Sequence, residues 1–261
     1  MALRPAVIAA IPPSAIMFLV DATAYLSYLE VDGPVLSSLA RQDASTPVPT
    51  CPKWTLGDLL AHVGSAHRWA EETVRARATD FCPFAKPPKD FDSVCTWYEQ
   101  GCGQLLETLT AVDPAEPVWN WLAMGVAPAR FWHRRMAHET SVHRWDAENA
   151  LGATTPVPRD LALDGIDEYL DIVSFSLSMT PNEALQGEIG IEAVDAPLAS
   201  TLHMVPSHLR RQEGLDGADV VVRASSSDLL LWLLGRRLID GDDITADGDR
   251  SVIDAWVTVR F

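Results

Sequence analysis

The sequence predicts a helical N-terminal half followed by a small α+β domain, and three observations carry that prediction. Residues 17–153 contain four amphipathic stretches at helical spacing, separated by Pro-rich connectors, which is the pattern of a four-helix bundle. After Gly152 the texture changes to short alternating runs bounded by turn residues, so 154–261 reads as a compact unit of strands and helices. With 261 residues, 48% hydrophobic and 21% charged, the chain can bury two such cores and has an ordinary globular composition.

The first predicted helix runs from Met17 to about Arg41 and is disturbed at Asp32-Gly33-Pro34, where proline ends or kinks a helix. Upstream, Arg4, the apolar run Ala6 to Val20 and Ala22-Thr23-Ala24 imitate a secretory signal. Pro12-Pro13 interrupts that run, however, and Phe18, Ala22, Tyr25/Leu26 and Leu29 carry helical spacing into the domain, so the expected start is an extended one or Met17 itself. After Cys51-Pro52-Lys53-Trp54, Thr55 has the character of an N-cap with Asp58 three residues on, opening a second helix to about Ala78. Its inward stripe of Leu59, His62/Val63, Ala66 and Ala70 sets His62 among apolar positions. A connector with Pro83, Pro87 and Pro88 leads to a third helix, Asp92 to Ala111, which Asp113-Pro114 stops. Trp119 and Trp121 fall in a loop, and Pro128 suits the first turn of a fourth helix.

Beyond Gly152 a helix is expected over Leu161 to Phe175, with strands at Glu188 to Val194, Thr201 to Val205 and Ala218 to Ala224. Ser225 to Asp228 caps an apolar helix, Leu229 to Leu234, which Gly235 ends before Arg236 and Arg237. Ile244 to Ala246 and Ala255 to Phe261 are expected to complete the sheet.

The fourth helix carries the densest chemistry. Glu139 and His143 are four apart, on one helix face with Cβ atoms roughly 5–6 Å apart, which is chelate spacing. Asp146 follows on the same stripe, where a carboxylate can hold the second imidazole nitrogen of a ligating histidine. His138 and His143 are five apart, about 140° around the helix, which disfavours a zinc protease of the H-E-x-x-H type. Taken alone the pair describes first a solvated helix face neutralised by Arg134, Arg135 and Arg144, and His62 alone describes a satisfied core histidine. Set together, His62, Glu139 and His143 make two imidazoles and a carboxylate from two helices, a set that suits zinc with an open position or non-haem Fe(II).

The formal charge of −16 and pI near 4.7 argue against a nucleic-acid partner. No apolar stretch of ~18 residues is present, so no membrane partner is expected. Cys51, Cys82, Cys95 and Cys102 contain no C-x-x-C pair and suit a reducing, cytoplasmic setting.

The stretch Trp54 to Val63 (Trp-Thr-Leu-Gly-Asp-Leu-Leu-Ala-His-Val) and the stretch Arg134 to Asp146 resemble the two signature segments of the mycothiol-dependent maleylpyruvate isomerase family of actinobacteria. Asp164-Gly165-Ile166-Asp167-Glu168 and Asp228 to Arg236 are also similar to that family, so the resemblance spans about residues 20 to 260. It implies a DinB-like four-helix bundle holding a divalent metal, usually zinc, on His62, Glu139 and His143, and a second domain similar to sterol-carrier proteins. It further implies a catalytic arginine from that domain, best matched by Arg236, and mycothiol as thiol cosubstrate. A cation in the last turn of a helix also complements the macrodipole without any catalytic role. A thiol bound to such a metal ionises at neutral pH, adds to an electron-poor cis double bond, and leaves after rotation to give the trans isomer. Permanent transfer of the thiol to an electrophile in detoxification is the alternative chemistry, and a non-catalytic metal or ligand sensor is the alternative from another class. The expected partners are a small thiol and a small electrophile, with the chain a monomer or weak dimer.

Overall fold

The computed structural model describes residues 20–239 and 243–257. Met17, Phe18, the signal-like start and the part of the last expected strand at 258–261 lie outside the described residues. Helix α1 (Ala22–Ala40) starts on the Asp21 side chain, which accepts from the Ala24 N–H, and it passes through Pro34 without ending. The expected break is absent because packing overrides the lost hydrogen bond. Gly33 presses against α3 (Phe91–Ala111), where an added Cβ would lie 2.6 Å from the Cys102 sulfur, and Tyr98 Oη donates to the Gly33 carbonyl at 3.1 Å. Helix α2 (Leu56–Arg75) begins with the expected capping box, Thr55 and Asp58 each bonding the other's backbone N–H. Gly64 gives α2 its close approach to α3, since a Cβ there would lie 2.6 Å from the Trp97 ring.

Between α3 and the fourth helix the expected loop is a short antiparallel hairpin, β1 (Pro117–Asn120) and β2 (Gly125–Pro128). Trp119 lies in β1, and its buried ring packs edge-on against Trp69. Pro128 ends β2 rather than opening the helix, and α4 (Arg130–Ala150) starts after Ala129 with no side-chain cap. The Leu29, Leu36, Leu59, Leu60, Leu105 and Trp132 side chains lie in the common core of these helices. Burying such groups supplies on the order of 2 kcal/mol each.

Helix α5 (Arg159–Met179) then leads to a sheet of β3 (Gly187–Ala193), β4 (Ala199–Val205), β5 (His208–Glu213), β6 (Val220–Ala224) and β7 (Thr245–Gly248), in the order β5-β4-β3-β6-β7. Among the described residues only β3 and β6 pair in parallel, with Ile189 opposite Val220 and Ile191 opposite Val222. Strand β5 is absent from the sequence-based expectation. It is an edge strand of charged composition joined to β4 by the turn Pro206-Ser207, so no alternation of apolar residues marks it. Helix α6 (Ser226–Leu233) follows the Ser225 cap as expected, and Gly235 at φ 78° ends it. The expected strand from Ala255 is instead helix α7 (Ser251–Val257), with Ile253 and Trp256 three apart and both buried. The second core collects α5, α6 and the sheet, and it takes in Val20 and Tyr25 from the start of the described chain and Ala137 from α4.

His67 gives this fold a pH signature. It is fully buried, and Thr140 Oγ1 donates to the Met136 carbonyl at 2.7 Å, so its 2.8 Å contact with His67 Nε2 makes that nitrogen the donor. Burial holds the imidazole down at about 4, an effect the Glu139 charge only partly offsets. The unfolded chain therefore binds a proton that the fold does not between about pH 6.5 and 4. The stabilisation from neutral His67 is complete above about 6.5 and is lost as pH falls through that window. His67→Gln should accordingly close on wild type in chemical denaturation between pH 7 and 4.5, by on the order of 2 kcal/mol; parallel pH profiles would contradict this reading.

Candidate metal centre

Two helices present the donor atoms. Glu139 and His143 occupy one face of α4, and His62 comes from the facing turn of α2. Glu139 Oε1 lies 3.0 Å from His62 Nε2 and 3.5 Å from His143 Nε2, and the three donor atoms are all within 4.8 Å of one another. The apolar neighbours Leu59, Val63, Ala66 and Ala70 are buried as expected, but the His62 side chain is 43% exposed. It faces the gap between α2 and α4 instead of the helix core, with the Trp54 ring against it at 4.6 Å.

The supporting contacts orient each donor. Asp146 Oδ2 accepts from His143 Nδ1 at 2.8 Å, which turns Nε2 toward Glu139. Thr50 Oγ1 donates to Asp146 Oδ1 at 2.6 Å, and Arg236 approaches the same carboxylate with Nε at 3.4 Å and a terminal nitrogen at 3.3 Å. Arg135 donates to Glu139 Oε2 at 2.9 Å and pairs with Glu168 of α5, so Oε1 is the oxygen left to the histidines. Burial opposes ionisation of Glu139, yet His143, His62 and Arg135 hold its carboxyl well below the usual range. Burial also opposes ionisation of Asp146, but its hydrogen bond with His143 and the charge of Arg236 bring it down to about 2. Burial would lower His143, and the carboxylates of Glu139 and Asp146 lift it instead to about 9.

That charge pattern fits a cation. Around the site Glu139, Asp146 and Glu168 supply three negative charges against the two of Arg135 and Arg236, and a proton on His143 closes the balance. His62 Nε2, Glu139 Oε1 and His143 Nε2 could hold a divalent cation, which would take the place of that proton beside the same acids. The overlapping group Cys51, His143 and Asp146 does not fit. Thr50, His143 and Arg236 already engage the Asp146 oxygens, and burial with the nearby Asp146 charge pushes the Cys51 thiol up to about 11.

A cavity of about 820 Å³ opens from these donors, with Trp54, Trp69 and Trp121 on the bundle side and Tyr169, Ile172 and Leu234 on the other. Arg236 reaches it just past α6, where its N–H returns to the Leu231 carbonyl at 2.7 Å. Arg237 bonds to Asp228 and Asp243 and is not part of the cavity wall. His138 borders the cavity, but its Nε2 is 2.7 Å from Asp164, which also accepts from Tyr25 and Arg134. Thr50 and Glu168 were not assigned roles by spacing: Thr50 belongs to a loop with no periodicity, and Glu168 meets Arg135 only through the packing of α5 on α4.

The family model described as the mycothiol maleylpyruvate isomerase N-terminal domain matches residues 34–148, and that of the corresponding C-terminal domain matches residues 160–255. No curated protein matches the chain in sequence. The crystal structure of a histidine-to-alanine variant of the mycothiol-dependent maleylpyruvate isomerase aligns with a TM-score of 0.60 at 16% identity, covering 87% of this chain and 93% of that one. The structure of the same isomerase without that substitution gives 0.57 at 14% identity over the same shares. At these identities the likeness speaks for the fold alone.

Purified protein should carry about one divalent metal per chain by elemental analysis, and His62→Ala, Glu139→Ala and His143→Ala should each lose it. Full occupancy in any one variant would remove that residue from the donor set. Asp146→Asn should weaken metal affinity about 10–100-fold in a chelator competition; an unchanged affinity would reduce Asp146 to a structural acid.

Proposed function

The chain belongs to the mycothiol maleylpyruvate isomerase family, and from that premise we propose that it is a metal-dependent enzyme, with zinc as the cation, that activates mycothiol for attack on an electrophile. The observation that carries this reading is the convergence of His62 Nε2, Glu139 Oε1 and His143 Nε2 at the edge of a large cavity. When bound there, zinc supplies a Lewis acid on which a small thiol ionises near neutral pH. The protein's own groups do the rest. Asp146 fixes the His143 ring through Nδ1, and Arg135 holds Glu139 so that a single oxygen is offered. Trp54 packs against one side of His62, and the apolar wall limits water around the reacting sulfur. Arg236 is the proposed substrate-facing cation, set to meet negative charge that develops on a carbonyl or carboxylate of the acceptor.

The proposed reaction is addition of the thiol sulfur to an electron-poor double bond. Loss of that sulfur after rotation is isomerisation; its retention is thiol transfer. The proposed setting is the cytoplasm, where small thiols are kept reduced. No helix among the described residues is long and apolar enough to cross a membrane.

Zinc-loaded protein should turn over electrophiles only when mycothiol is added, followed by loss of the double-bond absorbance or its isomeric shift. Absence of turnover with every thiol and electrophile tried would favour a metal or ligand sensor. Cys51 is the one cysteine among the described cavity residues, and burial with the Asp146 charge keeps it a thiol at neutral pH, so Cys51→Ser should retain the mycothiol-dependent rate; loss of turnover would make a protein sulfur the nucleophile. Arg236→Ala should keep its metal and lower kcat/KM about 100-fold for a carbonyl acceptor. Wild-type kinetics in that variant would take Arg236 out of the reaction.

A further inference from the structure

The cavity's wall and its charge inventory point to a kind of substrate. Among the described residues its cationic side chains other than histidine are Arg135 and Arg236. Arg135 lies between two carboxylates, those of Glu168 and Glu139, which together outweigh its charge. Arg236 is partly engaged, by Asp146 at 3.3–3.4 Å and by the Leu234 carbonyl at 3.0 Å. Arg236 faces one carboxylate where Arg135 faces two, so of the two guanidiniums it is the one whose charge and remaining N–H groups are better placed to receive one carboxylate or carbonyl. A small dicarboxylic acid would therefore bring a second negative charge for which no further guanidinium is similarly placed, beside Glu139 and Glu168.

The rest of the surface is built for something else. Trp69, Trp121, Tyr169, Ile172, Leu230 and Leu234 line the cavity with apolar surface, and about 820 Å³ is the size that holds a drug-sized molecule. At the Pro-rich connector between α2 and α3, Phe84 stacks on Trp69 at 4.2 Å while remaining 52% exposed, so an aromatic ring extends the wall toward solvent. Trp121 makes an edge contact with Phe175 at 5.9 Å and extends it on the hairpin side.

We propose that the electrophile taken by this site has a large apolar body, aromatic or branched, and a single carbonyl or carboxylate, which Arg236 receives while the apolar wall holds the body. The inference rests on the reading of the site as thiol-activating and names its acceptor class. In the addition the sulfur–carbon bond forms at the β-carbon, the π pair moves to the α-carbon, and that carbon takes up the proton lost by the thiol. No oxidant or reductant is needed.

The test compares binding of 3-phenylpropanoate and maleate to the protein as purified, by calorimetry, and mycothiol-dependent turnover of an aromatic enone, benzylideneacetone, and of maleylpyruvate. The expected result is at least about 10-fold tighter binding of 3-phenylpropanoate. Phe84→Ala and Ile172→Asn should each weaken that ligand about 5-fold and leave maleate unchanged. Maleate bound as tightly, binding of neither acid, or no effect of either variant on 3-phenylpropanoate would overturn the proposal. Turnover of maleylpyruvate but not of the enone would also overturn it while sparing the thiol-activating function. Turnover of neither, with the binding preference intact, would overturn that function and leave the apolar preference of the cavity standing.

Discussion

The sharing of one Glu139 oxygen between His62 and His143 is the contact on which the rest of the site depends. It links α2 to α4, and it is held by a chain of buried charges that runs along α4 into the neighbouring elements. Arg134 pairs with Asp164, Arg135 with Glu168, His143 and Arg236 with Asp146, and Arg144 with Asp32 and Glu148. Such pairs add little net stability once desolvation is counted, but losing one partner leaves a buried charge uncompensated, at a cost of about 3–5 kcal/mol. Helix α4 therefore acts as a polar spine whose partners on α1, α5 and the segment after α6 must all be in register. The same register aims Glu139 and His143 at His62.

Most of the bundle was legible because its signals are local. The Thr55–Asp58 capping box, the Pro-rich connectors and the spacing of Glu139, His143 and Asp146 each depend on residues within about two turns of one another. What was missed depends on distant packing. Pro34 stays within α1 because Gly33 and Tyr98 hold the backbone there. The hairpin β1–β2 has strands of four residues, too short for an alternating pattern, and β5 is a charged edge. A strand was expected from Ala255, but the three-residue spacing of Ile253 and Trp256 sets a helix against the second core. His62 shows the limit of periodicity most clearly. The stripe placed it on the inward side of α2, and only the position of α4 reveals that this side ends in a cavity.

The two halves of the chain contribute differently to the site. The bundle supplies all three candidate donor atoms, Arg135 and most of the aromatic wall. The second half supplies Glu168, which fixes Arg135, and Arg236, which braces Asp146 and faces the cavity. The cavity wall combines the three candidate donors with many apolar side chains.

Replacement of a proton by a divalent cation is the physical core of this account, and a proton count measures it directly. His143 is lifted to about 9 by Glu139 and Asp146, so at pH 7.5 it is protonated before the cation arrives. Calorimetric titration of metal-stripped protein with zinc, repeated in buffers of different ionisation enthalpy, should show release of about one proton per zinc bound. Stoichiometric binding with no proton released, or the same affinity and proton count in His143→Ala, would contradict it.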